Sequence, residues 1–268
     1  MIIPGCRASR LLVVLTVFSL TLFIATLCRS HYHVGRFETR LGVDIPRVYL
    51  ISFPRSGNTW TRYLVEGATG IFTGSVYEDK ELYRIGYLGE KEKVASNTTL
   101  LIKDHLLGNK PPPRDGPIIF IVRDPRKAIA SYLVFRQAVK LDPENKQLYR
   151  GSEQTLRGTD FKRRTINLIF HWEQVATKAL TSPTVLVLRY EDIKADAIKS
   201  VRQILAFLNI RPDEDRLACL ARHVQGKVNR GQPEMNPYTV ELELMFSAAI
   251  ARVSALMKSK GWPPLSYS

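Results

Sequence analysis

Apolar residues along the chain fall into two kinds of run. Short continuous runs occur at Arg47-Val-Tyr-Leu-Ile-Ser52, Pro117-Ile-Ile-Phe-Ile-Val122 and Thr184-Val-Leu-Val-Leu188, with a shorter one at Leu100-Leu-Ile102. They are too short for helices and do not alternate, so they predict strands covered on both faces, the habit of a parallel sheet. Elsewhere apolar residues recur at helical spacing, over Asn58–Ala68, Arg126–Gln137, Phe161–Leu180, Ala197–Leu208, Asp213–His223 and Val240–Lys260. Pro125 opens the second of these helices in the first-turn position that proline tolerates. Gly261 closes the last, ahead of Pro263-Pro264. Gly74–Ser96 and Lys140–Asp160 show neither period and read as loops or irregular helix. The expected fold is α/β: a single doubly wound, mostly parallel sheet with helices on both faces.

Ahead of this domain, residues 11–28 form an eighteen-residue run without charge, enough for a short membrane-spanning helix. A cleaved signal peptide is the main rival reading, but it would have a shorter apolar region and a small-x-small site, and Leu27-Cys28-Arg29-Ser30-His31 offers a poor one. The expected organisation is a cytoplasmic tail over 1–10, a transmembrane signal-anchor over 11–28, a stem over 29–46 and the folded domain over 47–268. Only ten residues precede the anchor, so the folded mass lies beyond it. A sequon at Asn97-Thr98-Thr99 agrees with a lumenal domain.

Charge narrows the partner. The chain has 39 Lys and Arg against 25 Asp and Glu, a net +14. The first forty residues hold five Arg and one Glu, leaving 34 against 24, or +10, in the body. Such a surplus calls for an anionic ligand without choosing among nucleic acid, lipid, nucleotide or acidic glycan. Three cysteines exclude a disulfide scaffold: Cys6 and Cys28 flank the apolar run, and Cys219 stands alone in the body. No Cys/His cluster has the spacing of a structural zinc site.

The strongest chemical signal is Pro54-Arg55-Ser56-Gly57-Asn58-Thr59-Trp60, between the first strand and the first helix. Backbone N–H groups and a helix N-terminus make an anion site at such a turn. Gly57 lets the backbone close on an oxyanion, Ser56, Asn58 and Thr59 add donors, and Arg55 adds a fixed charge. A helix cap with an incidental glycine would look the same locally. A nucleotide-kinase loop, G-x-x-x-x-G-K-[ST], would require a lysine where Asn58 stands. Asp124 is the nearest acidic residue to a strand end, and Pro125 follows it.

Ser52-Phe-Pro-Arg-Ser-Gly-Asn-Thr-Trp60 resembles the 5′-phosphosulfate loop of sulfotransferases that use 3′-phosphoadenosine 5′-phosphosulfate (PAPS). Val122-Arg123-Asp124-Pro125-Arg126, with Ser131 eight residues after Arg123, resembles their 3′-phosphate motif, and Arg189-Tyr190-Glu191-Asp192 their Tyr-Glu-Asp segment. The loop is most similar to that of the WSC-domain-containing sulfotransferases, whose substrates are sialic-acid hydroxyls on glycoconjugates. Those proteins place cysteine-rich WSC modules before the catalytic domain, whereas the stem here carries none. The resemblance implies a sulfotransferase domain with a P-loop-like fold. It implies PAPS as donor, without a metal, and a carbohydrate acceptor, with no nucleic acid. It further implies a Golgi membrane protein, single-pass and type II, with a lumenal catalytic domain.

Roles follow from the resemblance residue by residue. Arg55, Ser56, Gly57, Asn58 and Thr59 would hold the 5′-phosphosulfate; the usual residue at position 55 is lysine, a different geometry from arginine. Trp60 and Tyr190 would lie near the adenine, and Arg123 and Ser131 would bind the 3′-phosphate. The alternative for Arg123 is an ion pair with Asp124 or Glu191. Lys103-Asp104-His105 resembles the Lys-x-His element in which the histidine takes the acceptor proton and the lysine shares the developing charge. Imidazole suits that task, with an ordinary pKa of about 6.5. Asn229-Arg230-Gly231, ahead of Asn236-Pro-Tyr238-Thr239, loosely resembles the loop over the 3′-phosphate and makes Arg230 a candidate ligand. His171 and His223 read as packing or surface residues, His31 and His33 fall in the stem, and Tyr132, Phe135 and Trp172 read as core. A kinase or NTPase, and a non-catalytic polyanion- or glycan-binding module, are the competing readings.

Overall fold

The strands lie where the continuous apolar runs predict them, with one addition: β1 Tyr49–Ser52, β2 Gly74–Ser75, β3 Ile102–Asp104, β4 Ile118–Val122 and β5 Val185–Arg189. The computed structural model describes residues 37–106, 116–141, 156–226 and 236–267. The expected anchor at 11–28, Arg230, and most of Lys140–Asp160 lie outside the described residues. Among those described, no helix is long and apolar enough to cross a membrane. Pairing is parallel throughout, in the order β2-β3-β1-β4-β5.

Two boundaries differ from expectation for a physical reason. Gly74–Ser96, read as loop or irregular helix, holds a short helix and two 3₁₀ turns, Leu88–Lys91 and Val94–Ser96, and adds the unexpected edge strand β2. A two-residue strand is too short to show any hydrophobic period. β3 runs two residues past the apolar run Leu100–Ile102, pairing Lys103 with Leu50 and Asp104 with Ile51. Of its last two residues, Lys103 lines a cavity and Asp104 is buried, accepting hydrogen bonds from the Tyr77 hydroxyl and the Leu106 backbone.

The helices are α1 Asn58–Thr69, α2 Lys80–Arg84, α3 Pro125–Leu141, α4 Gly158–Leu180, α5 Tyr190–Ala195, α6 Ala197–Phe207, α7 Glu214–Ala221 and α8 Val240–Ser259. Successive strand residues point to opposite faces. Tyr49, Ile51, Ile118 and Phe120 pack with Ile129, Trp172 and Phe246 of α3, α4 and α8. Leu50, Ile119, Ile121 and Leu188 pack with Leu64, Val201 and Leu217 of α1, α6 and α7. Both faces of the sheet are covered, so the doubly wound expectation holds. Cys219 on α7, read as standing alone in the body, is disulfide-bonded.

A buried polar network ties the Gly74–Ser96 segment to α1. Arg62 forms an ion pair with Glu90 and donates to the Thr73 hydroxyl (2.7 Å) and carbonyl (2.9 Å). Glu66 accepts from the Thr73 backbone (3.0 Å) and hydroxyl, and Glu90 accepts from the Asp79 backbone (2.9 Å). Burial pushes the Glu66 carboxyl up to about 7, with Arg62 and Thr73 only partly opposing. The folded state therefore holds the Glu66 proton more tightly than the unfolded chain does. That stabilisation is full below the ordinary glutamate pKa and is lost as pH rises through about 7. Thermal unfolding should show Glu66→Gln flattening this slope, by on the order of 1–3 kcal/mol between pH 4.5 and 7.5.

Candidate active site

β1 is flanked by β3 on one side and β4 on the other, so the strand order reverses beside it. In open α/β sheets such a reversal leaves a crevice at the carboxyl ends of the strands. Four segments end there: Phe53–Gly57 after β1, His105 after β3, Arg123 after β4 and Tyr190 after β5. They surround a cavity of about 680 Å³.

The Phe53–Gly57 turn owes its shape to two residues with positive φ, Arg55 at 68° and Gly57 at 91°. No side chain caps α1 at Gly57, and its first turn carries no acidic residue. The first N–H groups of that helix are thus open to an anion. Ser56 is buried, and its Oγ has no hydrogen-bond partner among the described residues. Asn58 is occupied instead, donating to the Leu50 carbonyl (2.9 Å) and Ser52 Oγ (3.2 Å) and so bracing the end of β1. Thr59 lines the cavity.

Gly57 has a second constraint. A Cβ there would lie 2.6 Å from Cδ2 of Tyr190, whose ring closes over the turn. Gly57→Ala should therefore cost about 1–2 kcal/mol from backbone strain alone, with the ring contact in addition. Calorimetric melting checks this: a lower Tm is expected for Gly57→Ala, and an unchanged Tm would show that the turn tolerates a side chain.

Tyr190 organises one side of the cavity. The Arg123 guanidinium lies over its ring at 4.2 Å, and the Trp60 ring meets its edge at 6.0 Å. The Trp60 indole N–H donates to the Val224 carbonyl (2.6 Å). Arg123 is 4 % exposed and donates to the Arg55 carbonyl, while its Nε is buried without a partner among the described residues. It forms no ion pair with Asp124 or Glu191 among the described residues; Glu191 accepts from the Asp124 backbone instead (3.1 Å). Burial pulls the Arg123 pKa down, opposed by Tyr190, Glu191 and Asp124. Arg55 Nε donates to Ser131 Oγ (3.0 Å), and its guanidinium packs on Phe135 at 5.2 Å. Arg55, Ser131 and Arg123 are thus brought together.

On the opposite side, His105 Nδ1 is 2.8 Å from the Ser52 carbonyl and 3.3 Å from Ser52 Oγ. A carbonyl can only accept, so Nδ1 carries the proton and Nε2 is the basic nitrogen. Burial and the neighbouring Lys103 charge hold the imidazole down to about 3, so it is neutral across the physiological range. Lys103 is itself 8 % exposed, and burial together with Arg62 pulls its ammonium down to about 8, against Glu90 and Asp79. The cavity therefore presents a neutral base beside a cation.

Among the cavity residues that sequence reasoning missed are three aromatic ones. Tyr132 and Phe135 read as core but line the cavity, because aromatic residues at helical spacing look alike in both settings. Trp172 is core as expected, donating to the Arg123 carbonyl (3.1 Å). Tyr77 falls in the segment read as a loop or irregular helix, and no periodic signal could have marked it.

The sulfotransferase domain family matches residues 46–249. The chain belongs to this sulfotransferase family. A WSCD family member of Aedes aegypti is 33 % identical over 195 residues, 71 % of this chain and 59 % of that protein. One of Drosophila pseudoobscura is 31 % identical over 215 residues, covering 79 % of this chain and 66 % of the relative. The chain thus spans about six-tenths to two-thirds of the length of the curated relatives it matches. Among solved structures, mouse sulfotransferase SULT7A1 complexed with PAP superposes with a TM-score of 0.50 at 16 % identity, covering 88 % of this chain and 92 % of its own. That likeness establishes a sulfotransferase fold.

Proposed function

We propose that this protein transfers a sulfuryl group from PAPS to a hydroxyl of a carbohydrate acceptor. The observation that carries the donor half is the convergence of the uncapped α1 N-terminus and the Arg123 guanidinium on one cavity, with Arg123 Nε and the Oγ of Ser56, buried in the turn beneath, both without a partner among the described residues. Buried donors of this kind are costly unless a ligand engages them. They fit a nucleotide phosphorylated at both ends. Arg55, Ser56, Gly57 and Thr59, with Asn58 through its backbone N–H, would hold the 5′ side, Arg123 and Ser131 the 3′-phosphate, and Trp60 and Tyr190 the adenine. PAPS, as donor substrate, supplies the sulfuryl group and a 3′,5′-ADP leaving group.

In the transfer, the acceptor oxygen bonds to sulfur as the bond from sulfur to the bridging phosphate oxygen breaks, and that oxygen keeps the electron pair. His105 takes the acceptor proton on Nε2, with Ser52 fixing the tautomer. Lys103 and Arg55 carry positive charge to the oxygens on which negative charge develops. Attack in line with the leaving oxygen needs no covalent link to the protein.

The carbohydrate half rests on the likeness of the loop to the WSC-domain-containing sulfotransferases, which makes sialic-acid hydroxyls on glycoconjugates the first acceptors to try. The uncharged run at 11–28 and the sequon at Asn97 support a type II Golgi membrane protein with a lumenal catalytic domain. The test offers sulfur-labelled PAPS and the full chain to sialylated and desialylated glycoproteins and glycolipids. Label in the glycan, lost after sialidase treatment, is expected. Label confined to the polypeptide would overturn the carbohydrate acceptor.

A further inference from the structure

We propose that Tyr77 is a positioning residue for the reacting imidazole, its hydroxyl locking the end of β3 and its ring covering one face of His105. The inference rests on the reading of His105 as the base. Tyr77 follows β2, the edge strand beside β3. Its hydroxyl donates to Asp104 Oδ1 (2.9 Å) and accepts from the His105 backbone N–H (2.8 Å). The same Asp104 oxygen accepts from the Leu106 backbone (2.9 Å), where the chain turns with a positive φ of 48°. These bonds pin the backbone on both sides of His105 through one hydroxyl and one carboxylate.

The ring adds a second hold. It stacks on the imidazole with centroids 5.6 Å apart and an interplanar angle of 29°, and the Lys103 ammonium lies 5.6 Å from its centre. His105 is thus gripped by Ser52 on β1 through Nδ1 and by Tyr77 through its backbone and one ring face. The tautomer that makes Nε2 the base survives only while the ring stays against the Ser52 carbonyl. Releasing the β3 end lets the imidazole leave that carbonyl and adopt the other tautomer. The groups that face His105 are Lys103 and Asp104 of its own strand, Tyr77, and His171 of α4.

Tyr77→Phe keeps the ring and removes both hydroxyl bonds, so it isolates the lock. Nitrogen-15 NMR of the full chain in detergent micelles reads the His105 tautomer and titration, with His105→Gln assigning the signal. Wild-type protein should show the Nδ1–H form; Tyr77→Phe should shift the population to Nε2–H and move titration toward the ordinary imidazole value. Release of sulfate from PAPS, with water as the acceptor, should fall about 10- to 100-fold, the loss a small misplacement of a catalytic group produces. The dissociation constant for 3′,5′-ADP should stay within about twofold, since Tyr77 is on the far side of the cavity from Arg123 and Tyr190, and this also shows that the variant folds. Asp104→Asn, which retains the acceptor oxygen, should recover most of the activity, whereas Asp104→Ala should behave as Tyr77→Phe does. An unchanged tautomer and rate in Tyr77→Phe would overturn the proposal, as would an unchanged tautomer in Asp104→Ala if Tyr77→Phe does not fold. If His105→Gln retains full sulfate release, the base reading fails while the tautomer result still judges the lock.

Discussion

Replacing Arg123 with alanine is expected to weaken 3′,5′-ADP binding roughly 100-fold or more and to abolish the preference for it over AMP. Arg123 is nearly buried, its guanidinium is stacked on Tyr190, and its Nε is an orphaned donor beside the cavity. A hydrogen bond to a charged group contributes about 1.5–3 kcal/mol, and a planar fork makes two to one phosphate. Losing both is worth at least two orders of magnitude in affinity. AMP lacks the phosphate this group is assigned to read, so its weaker binding should change little. Arg123→Lys should recover only part of the loss, because an ammonium keeps the charge and not the fork. Competitive displacement of a fluorescent nucleotide measures all three proteins on one scale. Equal affinities of wild type and Arg123→Ala for 3′,5′-ADP would remove Arg123 from the donor site.

His105→Gln is expected to lower sulfuryl transfer by about 10²–10⁴, the usual share of a positioned general base. Glutamine approximates the ring's size and can still meet Ser52, but it cannot accept a proton at neutral pH. Affinity for 3′,5′-ADP should survive, because the residue lies across the cavity from Arg123. The pH dependence provides a second check with a definite sign. With the free imidazole held down to about 3, kcat/KM should not fall between pH 7 and pH 5. On the alkaline side it should decline as pH passes about 8, where Lys103 loses its proton. Single-turnover transfer from labelled PAPS over pH 5–9 gives both limbs. An acid limb centred near the ordinary imidazole value would show that burial does not control the base.

Much of this was legible in the sequence because the chemistry sits at strand ends. An apolar run that stops at a polar residue marks both a buried strand and the point where the chain leaves the core. That logic drew attention to the Pro54–Trp60 turn after β1, whereas Arg123 after β4 and Tyr190 after β5 were singled out by the resemblance of their motifs. It fell short at β3, where Lys103 and Asp104 remain in the sheet although the apolar run has ended. It could not reveal Tyr77, because a two-residue strand followed by short turns has no period to read. Nor could it separate Phe135 from a core aromatic, since one turn of α3 faces both the core and the cavity. The Arg62–Glu90–Glu66 network was equally invisible: charged residues within a helical pattern look like a solvated face until a neighbouring segment covers them.

The central claim is that the cavity reads a nucleotide with a 3′-phosphate. Isothermal titration of the full chain with 3′,5′-ADP, AMP and Mg-ATP tests it most directly. Tight binding of 3′,5′-ADP, clearly stronger than AMP and independent of Mg²⁺, is the expected result. A preference for Mg-ATP would instead assign the loop to a kinase or NTPase, and failure to bind any of the three would leave a polyanion-binding module, so either outcome would contradict the account.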